Sequence, residues 1–292
     1  MNSQNIVHAF TTDGTVKTNS DAVDPWWSIT KSVLAVACLR LVDDKRLHLD
    51  CRIGSAPFTL RQLLQHTAGV PDYGRLQSYQ AAVAARRRAW PATRMLERVK
   101  ADKLDFEPGN GWEYSNVGYL FVRRLIEKIT ETDLGKALQN LVFQPLGLAS
   151  VRLAKTIEDL EDCCWVRAKK YDPNWVYHGL LIGSASDAVR FFHQIVSGPL
   201  LSPASLAAMQ TRFPIGGAVP GRPWKTTGYG LGLMTGTMDR VGQAFGHSGG
   251  GPHSVAALYH FPQVAMPITV AAFASGQDEG VTEYEAVARA IA

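Results

Sequence analysis

Long hydrophobic runs are missing from this chain. No stretch of about 18 or more apolar residues occurs, so no membrane-spanning helix is expected. A strong charge of one sign is missing too. The chain holds 30 Lys and Arg against 26 Asp and Glu, and the net charge of +4 gives no case for a nucleic-acid partner. Its only dense basic run, Arg86-Arg87-Arg88, follows the alanine-rich stretch Gln80 to Ala85 and reads as a solvated helix face. Cysteine is scarce. Cys38, Cys51, Cys163 and Cys164 have no metal-ligand spacing, and adjacent cysteines rarely bridge, so a reduced state is expected. Among eight histidines only His247, His253 and His260 cluster, without a carboxylate at ligand spacing. No metal and no cofactor is expected on that basis. The opening Met1-Asn2-Ser3-Gln4-Asn5 lacks a basic segment, an apolar core and a small-residue cleavage site. As written the chain points to the cytoplasm; a periplasmic protein trimmed of its leader would look the same. Internal repeats and low-complexity linkers are absent as well.

What is present is enough apolar residue, 46% of 292, to bury a substantial core in one or two domains. At the head of an apolar helical run stands Ser28-Ile29-Thr30-Lys31. Residues three apart share a helical face, so the hydroxyl and the amine can touch. An alkyl hydroxyl becomes a nucleophile when a neighbouring base takes its proton, and a desolvated lysine can be that base. The helix N-terminus favours negative charge developing on the serine oxygen. Alone, the tetrad reads more readily as a solvated lysine near a helix start; the segments that follow reverse that reading.

Two further segments follow in order. Tyr114-Ser115-Asn116 comes after a Pro108-Gly109 turn. A phenol serves as acid or base when nearby cations lower its pKa, and Lys31 is such a cation. The Asn116 carboxamide can bond both the lysine and a substrate carbonyl. Gly246-His247-Ser248-Gly249-Gly250-Gly251-Pro252 then offers a strand edge on which glycines permit close ligand approach. Its free backbone N–H groups can serve as oxyanion donors. Singly, these segments also fit an ordinary turn and a glycine-rich hairpin.

Together and in this order the three segments resemble the serine β-lactamase and penicillin-recognising hydrolase superfamily, which carries S-x-x-K. The likeness is nearest to its class C-like branch: class C β-lactamases, D-Ala-D-Ala carboxypeptidases, and related esterases and amidases. It extends through Phe58 to Pro71 and Tyr229-Gly230-Leu231-Gly232-Leu233, the latter resembling the strand before the third motif, and covers nearly the whole chain from about Trp26. The resemblance implies Ser28 as acylated nucleophile, Lys31 as its activating partner and Tyr114 as proton shuttle. It implies substrate binding by Asn116, His247, Ser248, Gly249 and Gly250, with the N–H groups of Ser28 and Gly250 as oxyanion hole. The order in which Lys31 and Tyr114 take the first proton is left open by the sequence. No E-x-x-L-N element is seen, which argues for tyrosine-assisted deacylation. Where many β-lactamases of this superfamily carry lysine, this chain has His247, mostly neutral at pH 7. Either His247 faces the substrate, or it packs and hydrogen-bonds within its strand.

The expected fold is α+β: an antiparallel sheet flanked by helices, of the β-lactamase/transpeptidase kind. Residues 1–50 and 175–292 are expected to build the sheet domain, and 51–174 an inserted, mainly helical one. Strands are expected over Ile6 to Phe10, Thr15 to Thr18, Gly230 to Thr235, Val255 to Phe261 and Ile268 to Ala274. Helices are expected over Ile29 to Val42, Thr59 to Gln65, Ser78 to Arg88, Thr93 to Lys100, Val117 to Thr130, Asp133 to Val142, Ser184 to about Ser197, and Glu279 to Ile291. The resemblance also implies a helix ahead of the first hairpin, for which there is little room. An uncovered sheet face and a homo-oligomer follow as expectations. His66 and Asp187 read as structural, and Trp26, Trp27, Trp112 and Tyr73 as core filling or cleft wall. Three functions fit: hydrolysis of a small ester, amide or D-amino-acid peptide through an acyl-enzyme, β-lactam hydrolysis, and non-catalytic penicillin-like binding.

Overall fold

A computed structural model describes residues 6–165 and 170–292. Eight strands form one antiparallel sheet. They are β1 (Val7–Thr11), β2 (Lys17–Thr18), β6 (Phe213–Gly216), β7 (Trp224–Tyr229), β8 (Met234–Met238), β9 (Gly242–Gly250), β10 (Ser254–Phe261) and β11 (Ile268–Ser275). The spatial order β2-β1-β11-β10-β9-β8-β7-β6 sets residues from both ends of the chain side by side. Ala9 lies opposite Ala271, for example.

The central strands read as nearly unbroken apolar runs because both of their faces are covered. Leu258 and Phe273 join one core with α1 (Ile29–Asp43) and α7 (Ala185–Ser197). Their alternates Tyr259 and Val270 join a second core with Ala286 and Val287 of α9 (Glu279–Ala290). Period-two alternation thus sorts β10 and β11 between two layers of helix. β10 and β11 therefore present no uncovered face.

Helix α1 is buried on every side from Ile29 to Leu39, as its all-round apolar sequence requires. Between it and α7 the chain forms α2 (Leu60–Leu64), α3 (Gln77–Ala84), α4 (Ala92–Val99), α5 (Asn116–Thr130) and α6 (Leu134–Leu138). Thr59 starts α2 with a capping box, accepting from Gln62 N–H while the Gln62 side chain accepts from the Thr59 N–H. Ser184 caps α7 through the Asp187 N–H. A further helix, α8 (Pro203–Gln210), was not evident in the sequence.

Two segments differ from expectation. Helix α3 stops at Ala84 and Arg86 takes a left-handed φ of 52°, so Arg86-Arg87-Arg88 lies exposed beyond the helix rather than along it. Gly230 to Leu233 is a turn, not a strand. Gly232, at φ 70°, presses on α1, where a Cβ would sit 2.6 Å from Ala35 Cβ and 2.8 Å from Lys31 O. Only glycine fits that contact.

A second, three-stranded sheet was also not foreseen: β3 (Val23–Pro25), β5 (Leu180–Ser184) and β4 (Arg152–Ala154), in the order β3-β5-β4. It fixes the start of α1, since Leu181 O accepts from Trp26 N–H at 2.8 Å and Leu181 N–H donates to Thr30 Oγ1 at 3.2 Å.

Candidate active site

The chain leaves β3 through Trp26 and Trp27 and enters α1 at Ser28. Trp27 has φ 44°, a left-handed conformation that costs a side-chain-bearing residue on the order of 1–2 kcal/mol. Its indole Nε1–H donates to Ser254 Oγ at 2.9 Å, which pins the turn to β10. Ser28 occupies the N-cap position, yet its hydroxyl makes no cap hydrogen bond. The Oγ instead faces a cleft of about 410 Å³, within the usual range for a small-molecule site.

One turn along, Lys31 is fully buried. Its Nζ lies 3.0 Å from Ser28 Oγ, 2.8 Å from Asn116 Oδ1 and 3.3 Å from His178 Nε2. The Tyr114 hydroxyl donates to Ser28 Oγ at 2.8 Å. Asn116 opens α5, and its backbone N–H donates to Asp72 Oδ1 at 2.8 Å, which turns its carboxamide oxygen to the lysine. His66 holds the loop that carries Tyr114. Its Nδ1 accepts from Ser115 N–H at 3.1 Å, and its ring lies 4.4 Å from that of Tyr114. Asp187 is structural as well, accepting from Ser150 and Arg190.

The third wall is the end of β9. Strand β8 pairs with β9 only as far as Met234 opposite Gly246, so His247 to Gly250 have β10 on one side alone. Gly251 N–H bonds Ser254 O, which makes that pair a hydrogen-bonded one. Alternation then makes Gly250 a non-hydrogen-bonded partner of Val255, with its N–H turned to the open side. Gly249 lies against the turn that carries Ser28, where a Cβ would stand 2.6 Å from Ser28 N.

The other two residues of this segment turn inward. His247 is buried; its Nε2 accepts from the Tyr229 hydroxyl at 2.8 Å, and its Nδ1–H donates to Ser248 O. It is thus hydrogen-bonded within the sheet, as the second reading expects, while it also lines the cleft. Ser248 lines the cleft, and its hydroxyl donates to Glu283 Oε1 at 2.9 Å.

Burial sets the electrostatics. It pushes the Lys31 amine down to about 7, against the opposing pull of Asp72 and Glu279. The same burial pushes the Tyr114 phenol up. This reverses the sequence-based expectation of a phenol lowered by a charged lysine: near neutrality the amine releases its proton first. Desolvation holds His247 down to about 3 and also keeps His178 neutral.

Trp27, Tyr73 and Trp112 line the cleft, whereas Trp26 is core. Four contributors escaped the sequence: His178, Asp72, Arg222 and Glu279. None lies in a motif with recognisable spacing, and His178 reaches Lys31 across 147 residues of chain. Among the described residues, no group of three His, Cys, Asp or Glu is placed to hold a metal ion, and no helix is long and apolar enough to cross a membrane.

Comparison with known proteins places this geometry. Esterase EstB of Burkholderia gladioli is 26% identical over 263 residues, covering 73% of this chain and 66% of EstB. Across four curated relatives that it matches, EstB included, the chain spans from 28% to 66% of their length. The D-stereospecific amidohydrolase from Streptomyces sp. superposes with a TM-score of 0.81 at 24% identity, over 98% of this chain and 93% of that one. The D-amino acid amidase from Ochrobactrum anthropi SV3, complexed with D-phenylalanine, gives 0.78 at 21% identity, over 98% and 92%. These structures share the α+β fold of helices packed on an antiparallel sheet. The family model described as Beta-lactamase matches residues 5–292, and the chain belongs to that family.

Proposed function

We propose that this protein is a serine hydrolase that cleaves small esters or amides through an acyl-enzyme on Ser28. The observation that carries the reading is the position of Ser28 Oγ, 3.0 Å from an amine and 2.8 Å from a phenol, at the wall of an open cleft. A neutral Lys31 has two N–H donors and one lone pair. The donors suit Asn116 Oδ1 and His178 Nε2, and the lone pair then meets the Ser28 hydroxyl.

Lys31 takes the Ser28 proton as Oγ attacks the carbonyl carbon. The N–H groups of Ser28 and Gly250 hold the oxyanion. When the carbon–oxygen or carbon–nitrogen bond breaks, Tyr114 gives its proton to the leaving group, and the proton on Lys31 restores the phenol. In deacylation the pair takes a proton from water, the hydroxide attacks the acyl carbon, and Ser28 leaves with its proton regained. Because the two groups share one hydroxyl, they titrate as a unit. The EstB, amidohydrolase and amidase names of similar proteins support ester and amide substrates. A neutral, engaged His247 supports these over β-lactams, which bring a carboxylate.

The test is turnover of a chromogenic short-chain ester and of a fluorescent penicillin, each followed by intact mass. Ester turnover with an acyl adduct on Ser28 is expected. Penicillin turnover with no ester turnover would favour a β-lactamase, and no adduct with any acylating probe would leave a non-catalytic protein.

A further inference from the structure

The charged side chains lining the cleft, taken with the buried Glu283 behind them, leave one carboxylate in excess. Among the described residues of its wall these are Arg222 and Glu279. Arg222 is already committed to the buried Glu283, donating from Nε at 2.6 Å and also from Nη2. Its Nη1 lies 3.1 Å from Glu279 Oε2. Glu283 receives further hydrogen bonds from Trp224 Nε1, Ser248 Oγ and Tyr259 OH. One guanidinium thus faces two carboxylates, and the inner one is the better satisfied. The surplus negative charge falls on Glu279, whose side chain is 31% exposed.

The position of Glu279 relates that charge to the chemistry. Its Oε1 stands 3.0 Å from where a Cβ on Gly250 would be, beside the N–H assigned to the oxyanion. Burial also pushes the Glu279 carboxyl up, a penalty that a bound cation would relieve. Around it, Trp27, Tyr79, Trp112 and Tyr171 give the cleft aromatic walls, whose ring faces attract cations. Among the described residues of the wall, Arg222 is the one side chain with a fixed positive charge, and its carboxylate partners already engage it.

We infer that the cleft selects acyl donors bearing an ammonium group beside the scissile carbonyl, with Glu279 as its counter-ion. The inference rests on the acyl-enzyme reading and names its substrate class: esters or amides of amino acids with a free α-amine. In the ester case Ser28 Oγ bonds to the acyl carbon, the carbon–oxygen bond breaks and the alcohol leaves with the proton from Tyr114. The ammonium stays on the acyl group throughout.

Three methyl esters of one skeleton test it: phenylalanine methyl ester in each enantiomer, methyl 3-phenylpropanoate and monomethyl benzylmalonate. They present ammonium, hydrogen and carboxylate at the same carbon. The expected kcat/KM for the preferred phenylalanine enantiomer is at least about ten-fold above the neutral ester, with the malonate slowest, ten-fold being one decade of discrimination. Glu279→Gln is expected to collapse the ammonium-to-neutral ratio toward one. A neutral ester matching the ammonium ester in the unaltered protein would overturn the inference. So would a Glu279→Gln protein that loses all three esters in equal proportion, which marks a role confined to holding Arg222.

Calorimetric titration of the Ser28→Ala protein separates this inference from the reading beneath it. Phenylalaninamide binding more tightly than 3-phenylpropanamide supports the ammonium subsite even if no ester is cleaved. Equal binding rejects it even if esters are cleaved.

Discussion

Lys31 and His178 meet 3.3 Å apart at the base of the cleft, both buried. His178 Nε2 accepts from the lysine, and its Nδ1 has no hydrogen-bond partner among the described residues. In the proposed mechanism the Nδ1–H tautomer is the working form, with Nε2 as the acceptor that orients the amine toward Ser28. Replacing His178 with phenylalanine keeps bulk and removes the acceptor. The expected result is a fall in kcat/KM of about ten- to a hundred-fold, the range seen when a ligand-orienting contact is lost. Its acidic limb should also move to lower pH, because a hydrogen bond that stabilises the ammonium is gone. An unchanged pH profile would make His178 mere filling.

The lowered lysine predicts both a rate profile and a stability profile. Activity should rise through about pH 7 as the amine becomes free. For stability the sign is the opposite of a favourable ion pair. The fold disfavours the charged amine, so Lys31 destabilises fully below about pH 7, and the penalty fades as pH rises toward the unfolded value of 10.5. Lys31→Met should abolish turnover and raise the melting temperature, by more at pH 7 than at pH 10. Thermal unfolding followed by circular dichroism at the two pH values checks it.

Ser28→Ala should remove turnover and leave the circular dichroism spectrum unchanged. Tyr114→Phe is expected to cost about 10²–10⁴ in kcat, the span typical of a positioned proton donor. Combined with Lys31→Ala it should cost little more than the worse single change, because the two act on one hydroxyl. Near-normal rates for Tyr114→Phe would remove the phenol from the mechanism.

Gly249 allows a different kind of test. An alanine methyl would stand 2.6 Å from Ser28 N and 2.7 Å from Trp27 Cβ. Overpacking of this sort costs about 1–3 kcal/mol. Here the displaced atoms are the nucleophile turn itself, so turnover should fall far more than stability. A Gly249→Ala protein that melts normally and turns over normally would show that the strand can shift without consequence.

Legibility in the sequence follows the range of the interaction. Ser28 and Lys31 are readable because one helical turn brings them together, and Thr59 because its capping box is local. Leu180 to Ser184, a short apolar run buried throughout, carries no period to separate strand from helix, and it went unread. The turn at Gly232 looked like a strand because its apolar residues alternate with glycines; the contact with Lys31 O that bends it comes from 201 positions upstream. His178, Asp72 and Glu279 have no local signature at all. They belong to the site only through contacts across the fold, and the balance of charge in the cleft could not be drawn before those contacts were known.

Pairing of β1 with β11, and of β9 with β10, has a consequence for synthesis. The serine at position 28 is synthesised before residue 250, whose peptide hydrogen faces the same cleft. Until β9 has paired with β10, the hydroxyl stands without one of its walls. Long-range sheet closure, and not the helix that carries the serine, is the step that finishes the cleft.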